Sequence, residues 1–123
     1  MGVYGESAIR ALNLVTGGKS LAPADAWDQA IRSLTDNVLL MKKGCPRSTF
    51  LGLCEEGLVR GIPAGNYTSS VTNKINAVRA VAVLKNDPAI DNPVDLARRV
   101  AVRGISDNQM DVVLALWKHG AIR

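Results

Sequence analysis

Apolar residues recur every three or four positions along most of the chain, which is the spacing of one face of an α-helix. Glycine, proline and polar capping residues separate these stretches. No stretch of useful length alternates apolar and polar residues, as a half-buried strand would. The pattern predicts an all-α protein, a single compact domain over residues 1–123 with about six helices in an irregular or orthogonal bundle. The predicted helices span 4–15, 23–34, 46–56, 70–85, 93–103 and 106–119.

The last predicted helix has the clearest boundaries. Ser106 and Gln109 fit a capping box, in which the hydroxyl accepts from a backbone N–H and the amide side chain reaches back. Asp107 suits the positive start of the helix dipole, and His119 suits its negative end. We expect the stripe that begins at Met110 to face the core.

The helix at 70–85 differs because it is apolar nearly all round. Such a helix is usually central to its fold, so we expect it in the middle of the bundle. The segment before it, LVRGIPAGNYTSS at 58–70, has glycines, a proline and several polar residues, and it predicts a loop.

Charge sets limits on the partners. The net charge is +4, and the stretch 57–86 holds four bases and no acid. This excess is thin for a nucleic-acid-binding surface, which usually clusters more Lys and Arg. A helix-turn-helix would need a second helix after Gly57, but Pro63 and Gly65 occupy that segment. Nucleic-acid binding is therefore an alternative and not the leading interpretation.

The two cysteines indicate a reduced, cytoplasmic protein. If both lie on the helix at 46–56 or at its start, Cys45 and Cys54 are too far apart for an unstrained disulfide. With one histidine, the chain offers no zinc spacing, so we predict no metal and no cofactor. No apolar run reaches the roughly 20 residues that span a bilayer, and the start MGVYGES lacks a signal-peptide pattern. We expect no membrane association.

The segment KKGCP is the first candidate site. If Pro46 is the first helical residue, Cys45 is the cap beside unpaired N–H groups, and Lys43 adds positive charge. That setting lowers a thiol pKa, and it also binds anions without covalent chemistry. An ordinary helix start with solvated lysines explains the same residues. Cys54 faces inward and is expected in the core.

Two further polar segments could complete a site. Asn66, Tyr67 and Thr68 precede a helix start, where hydroxyl and backbone donors can form an anion cradle. Asn108 and Gln109 begin the last helix. We expect at least two of these three segments to face one another. Glu55 and Glu56 are adjacent on a helix and point in different directions, so we do not expect them to cooperate.

The amino-acid sequences of two blocks resemble a family of small bacterial proteins known as a domain of unknown function. The first block contains KGCP, LCEEGLV and GIPAGNYT, and the second is QMDVVLALW. The resemblance extends over nearly the whole chain. It implies a helical single domain and brings no activity, substrate or cofactor.

We therefore expect a binding or interaction module with a site for an anion or small polar ligand near Cys45 and the 65–70 loop. Its partner would be a small anionic ligand or another protein, and assembly into a homo-oligomer stays open. The alternative from another class is an enzyme with Cys45 as nucleophile, for which His119 would be the only histidine base. Weak nucleic-acid binding is the third hypothesis.

Overall fold

Helices account for the regular structure of the chain. The structure is a computed structural model that describes residues 2–18, 21–101 and 105–123. Within those ranges it contains six helices of eight or more residues and one single-turn helix, with no strand. The prediction of an all-α fold is confirmed. The helices are α1 Val3–Thr16, α2 Pro23–Leu34, α3 Val38–Met41, α4 Gly44–Glu55, α5 Val71–Asn86, α6 Pro93–Val100 and α7 Asp107–Lys118.

Local signals explain most helix ends. Ser70, Asn92 and Ser106 each accept from the backbone N–H three residues later, and Ser106 and Gln109 form the predicted capping box. Asn37, which lies beyond the predicted second helix, caps α3 by accepting from the Leu39 N–H. α3 was missed because four residues are too short to show a helical period.

α6 ends earlier than its sequence pattern suggests. The helix stops at Val100, and Ala101 follows in the left-handed conformation with φ of 56°. The predicted end at 103–104 lies outside the described residues.

α7, and not α5, is the central helix. α7 contacts α1, α4, α5 and α6. Six of its apolar side chains are buried, including Met110, Val113 and Leu116. Beside it, Trp27 of α2 and Phe50 of α4 pack with their ring centroids 5.6 Å apart. These residues belong to one connected core that α1, α2, α4, α5 and α6 also supply.

The prediction for α5 was wrong, since the helix buries one face and leaves apolar residues on the other. Ala77, Ala80 and Leu84 lie in the core, whereas Val71 and Ile75 are 62% and 49% exposed. Apolar residues on every side of α5 therefore do not mean that the whole helix is buried.

Asp111 joins α7 to the start of α1. One carboxylate oxygen, Oδ2, accepts from the backbone N–H of Gly2 at 3.1 Å and of Gly5 at 2.9 Å. Gly2 is the residue before α1 and makes no side-chain cap of its own. A side chain from a distant helix thus does what a capping residue would do.

We expect Asp111→Ala to lower the free energy of unfolding by about 0.5–2 kcal/mol, the usual effect of deleting a helix cap. Urea denaturation would measure it. Asp111→Asn keeps an acceptor oxygen and should lose less. Equal losses from both variants would mean that the hydrogen bonds to Gly2 and Gly5 contribute little.

Candidate functional site

The start of α4 differs from the start predicted by its sequence. The helix begins at Gly44, so Lys43 is the N-cap and Cys45 is the second helical residue, not the cap. Pro46 is the third helical residue, a position that costs no hydrogen bond because the first four N–H groups of a helix have no partner within it.

This helix start carries no side-chain cap. Lys43 makes no capping hydrogen bond. The backbone N–H groups of Gly44 and Cys45 have no acceptor among residues 2–18, 21–101 and 105–123. They lie at the positive end of the α4 dipole, so two donors and a partial positive charge remain available there.

A cavity of about 260 Å³ lies at this point. We call it the α4–α7 cavity because residues from the starts of both helices line it. The lining residues are Lys43, Gly44, Cys45, Pro46, Ser106 and Asn108. The structure thus brings together two of the three polar segments singled out in the sequence.

The polar groups of the cavity are mostly free. Lys43 forms no ion pair with any described residue, and the Asn108 side chain makes no hydrogen bond to one. Cys45 is an exposed, unpaired thiol. The Ser106 hydroxyl is occupied by the capping box, in which it accepts from the Gln109 N–H at 3.3 Å. The described part of the lining therefore offers an ammonium, an amide, a thiol and two backbone donors, and no carboxylate.

Gln109 does not line the cavity. Its side chain is buried, with Oε1 accepting from the Ser106 N–H at 2.9 Å and Nε2 donating to Asn73 Oδ1 at 2.5 Å. The second bond ties the start of α7 to α5. Gln109 therefore has a structural role, and its amide is not available to a ligand.

The loop residues Asn66, Tyr67 and Thr68 lie elsewhere. The N–H groups of Tyr67 and Thr68 donate to Glu55 Oε1 at 2.8 and 3.1 Å. Glu55 is the last residue of α4, whereas Cys45 lies in its first turn, and ten helical residues rise about 15 Å. The sequence-based composite of all three segments is therefore wrong for this loop, because its backbone donors already bind a carboxylate at the opposite end of α4.

Glu55 was missed as an organising residue. Its other oxygen, Oε2, accepts from Lys74 Nζ at 2.8 Å, while Glu56 Oε1 lies 3.7 Å from the same nitrogen. Contrary to expectation, the two glutamates converge on one lysine. The hydrogen bond from Lys74, followed by those from Thr68 and Tyr67, lowers the Glu55 pKa to about 2.

The pKa of Lys74 shifts in the opposite direction from that of Glu55. The hydrogen bond to Glu55 raises the Lys74 pKa above its ordinary value, so the ion pair is favoured on both sides. Glu55, Lys74 and the backbone N–H groups of Tyr67 and Thr68 form a closed network that we call the Glu55 clasp. It holds the loop against α4 and α5, and it leaves little for a ligand to bind.

At two other polar cavities, the side chains already bind groups of the protein itself. At the α5–α6 connection, Arg99 pairs with Asp87 at 2.7 Å. Beside α7, Lys118 Nζ donates to the Asp91 carbonyl oxygen at 2.6 Å. The first place has no net charge to attract a ligand, and at the second the ammonium is already held by a carbonyl oxygen. Lys43 of the α4–α7 cavity makes neither kind of contact with a described residue.

The two cysteines differ in exposure, since Cys45 is exposed and Cys54 is buried. Cys54 is buried, as predicted, and burial raises the pKa of its thiol. Both cysteines are free. Among the residues that the structure describes, no group of three or more His, Cys, Asp or Glu side chains could hold a metal ion. No helix within those ranges is long and apolar enough to cross a membrane.

Comparison with known proteins identifies a family and no function. The model of a family described as "Family of unknown function (DUF6979)" matches residues 1–123. Neither the curated proteins nor the solved structures contain a match. The resemblance seen in the sequence is confirmed over the full chain.

Proposed function

We propose that this chain, which belongs to that family of unknown function, is a binding module that holds a small anionic or polar ligand in the α4–α7 cavity. One observation carries the proposal: an uncapped helix start lines the same cavity as a lysine and an asparagine whose side chains bind no described residue.

The chemistry of the lining favours an anion. The N–H groups of Gly44 and Cys45 can donate to one or two ligand oxygens, as helix starts do for phosphate and carboxylate. Lys43 supplies a full positive charge, and Asn108 supplies a neutral donor from the facing helix. At about 260 Å³, the cavity lies just below the usual range for drug-sized ligands, which suits a phosphate or a small carboxylate.

An enzyme with Cys45 as nucleophile is supported less well. Among the described residues that line the cavity, there is no histidine and no carboxylate that could accept the thiol proton. The chain's one histidine, His119, follows the end of α7, whereas Asn108 is near its start. The length of the helix separates them by about 16 Å.

Nucleic-acid binding also loses support from the side-chain contacts. Of the four bases in 57–86, Lys74 pairs with Glu55, and Arg60 Nε donates to the Ile122 carbonyl oxygen at 3.4 Å. Arg60 keeps its charge, but the neutralised Lys74 leaves a weaker positive surface than the sequence suggests. The two free cysteines agree with a reducing compartment, and we place the protein in the cytoplasm.

Titration with inorganic phosphate at constant ionic strength tests the anion site. We expect the backbone amides of Gly44 and Cys45 to shift in nitrogen–proton correlation spectra. We also expect Lys43→Gln to weaken binding about tenfold, the effect of losing one charge-assisted hydrogen bond. Lys42→Gln is the matched control, because Lys42 is the adjacent exposed lysine and does not line the cavity.

Alkylation of Cys45 gives a second measurement. Bound phosphate should slow the reaction of Cys45 with iodoacetamide, while buried Cys54 stays unreactive in the folded protein.

Equal losses of phosphate affinity in the Lys42 and Lys43 variants would indicate general charge screening. That result, or amide shifts confined to other helices, would contradict the proposed site.

A further inference from the structure

The outward face of α5 is apolar along its centre line. Val71, Ile75, Val78 and Ala82 follow one another at intervals of four, three and four residues. With about 100° between successive helical residues, all four lie within about 60° of one another. Val71, Ile75 and Ala82 are exposed, and Val78 is half-buried. We call this row the α5 ridge.

The ridge lies opposite the buried face of the same helix. Asn76, Ala77, Ala80, Val81 and Leu84 are the buried residues of α5. They already hold the helix against the core, so the stability of the fold does not account for the ridge. A surface helix ordinarily carries polar residues along that line, and a row of four apolar ones is typical of a contact surface.

The spacing favours a second helix as the occupant. Alternating intervals of three and four residues are the a and d positions of a heptad, which form the seam between two packed helices. Ile75 and Ala82 would be a positions, while Val71 and Val78 would be d positions. A seam this narrow differs from the broad face, rich in Trp, Phe and Leu, with which helices enter a lipid surface.

The charges around the ridge select the sign of the partner. Arg79 lies beside the ridge at an e position, and Lys85 lies at its C-terminal end. Both are exposed, and neither forms an ion pair or a side-chain hydrogen bond with another described residue. The sequence has no acid between Gly57 and Asn86. Because e and g charges set partner choice, a helix with acidic flanks fits.

A second copy of this chain fits less well. Two ridges packed together would place the unpaired Arg79 and Lys85 of each copy along one seam, and like charges close to one another oppose association. We propose that the α5 ridge docks an acidic amphipathic helix of a partner protein. This surface differs from the α4–α7 cavity and does not depend on a ligand there.

Matched synthetic peptides test the proposal on the full chain. The probe is a helix of about three heptads with Ile at a, Leu at d and Glu at e and g. Its glutamates repel one another, which discourages the peptide from pairing with itself. The comparison peptide carries Lys at the same e and g positions. Fluorescence anisotropy should show tighter binding of the acidic peptide, and amide shifts should map to α5.

Variants place the contact on the ridge. Ile75→Asp should weaken binding of the acidic peptide about tenfold or more, because the seam would bury an unpaired charge. Val38→Asp is the control, since Val38 is similarly exposed, at 54% against 49% for Ile75, and its helix packs against α2. Arg79→Glu should reverse the preference toward the basic peptide. Lys43→Gln should change nothing, which separates this surface from the anion site.

Several results would overturn the proposal. No binding, equal binding of both peptides, or an unchanged affinity of the Ile75→Asp variant would reject an acidic helix as occupant. Sedimentation that shows a dimer abolished by Ile75→Asp would assign the ridge to a second copy. Cosedimentation with phosphatidylglycerol–phosphatidylcholine vesicles that is lost in the same variant would assign it to a membrane.

Discussion

Gly52→Ala is expected to destabilise the protein by about 1–3 kcal/mol, although alanine is normally the better helix residue. A Cβ at Gly52 would lie 2.8 Å from the Lys74 Cα and 2.9 Å from the Lys74 Cβ. Since a backbone atom cannot rotate away, α4 and α5 would have to separate. The midpoint of thermal unfolding should fall by about 4 °C for each kcal/mol lost.

Gly44→Ala is the matched control on the same helix. A Cβ at Gly44 meets nothing within 4 Å, so the same substitution changes only the helix propensity. We expect no loss, and a gain of at most about 1 kcal/mol. Calorimetry on both variants would compare them directly. If Gly52→Ala were as stable as Gly44→Ala, the close approach of α4 to α5 would not be needed for stability.

The close approach at Gly52 also explains the position of Lys74. Gly52 faces Lys74 of α5. Glu55 follows three residues after Gly52 on α4, and its carboxylate lies 2.8 Å from the Lys74 ammonium. If the helices separated, this ion pair would lengthen. Gly52→Ala should therefore also weaken the Glu55 clasp, and the two features should not be energetically additive.

Helix boundaries were predictable where one short segment contains the whole signal. Ser106 and Gln109 satisfy each other within four residues, and Pro93 follows its own cap, Asn92. The start of α4 shows the limit of such signals. Pro46 fits any position of the first turn, so its presence did not fix Gly44 as the first residue.

Contacts between distant segments could not be read from the sequence. Asp111 serves backbone groups of Gly2 and Gly5, more than a hundred residues away. Glu55 and Lys74 are 19 residues apart on different helices. Each residue alone looks like ordinary surface charge, and only the packing of the helices gives it a partner. For the same reason, the sequence could not show that the 66–68 loop lies away from the cavity that Cys45 and Asn108 line.

The α5 error has a different physical origin. Hydrophobic periodicity identifies a buried face only when the opposite face is polar, and α5 has apolar residues on both. Burial was then assigned to the whole helix. The structure shows that Val71, Ile75 and Ala82 are exposed, so the ridge could be recognised only once the helices were in place.

The Glu55 clasp should make stability depend on pH in acid. The folded-state pKa of Glu55 is about 2, and a glutamate in an unfolded chain has a pKa of about 4.3. Above pH 4.3 both states are ionised, and the clasp contributes fully. As the pH falls from about 4.3 to 2, the unfolded chain takes up the proton first, so the free energy of unfolding decreases.

Urea denaturation between pH 7 and pH 2 would separate Glu55 from the other carboxylates. Glu55→Gln should be less stable than the parent protein at pH 7, and the difference should shrink as the pH falls through the window from about 4.3 to 2. Glu56→Gln is the control, because Glu56 is half exposed and 3.7 Å from Lys74. That variant should keep the acid-dependent loss of the parent. A constant difference between Glu55→Gln and the parent at every pH would show that the clasp acts through shape and neutral hydrogen bonds. A difference that shrinks as the pH falls from about 4.3 to 2 would instead show that the ionised carboxylate of Glu55 holds the loop and the start of α5.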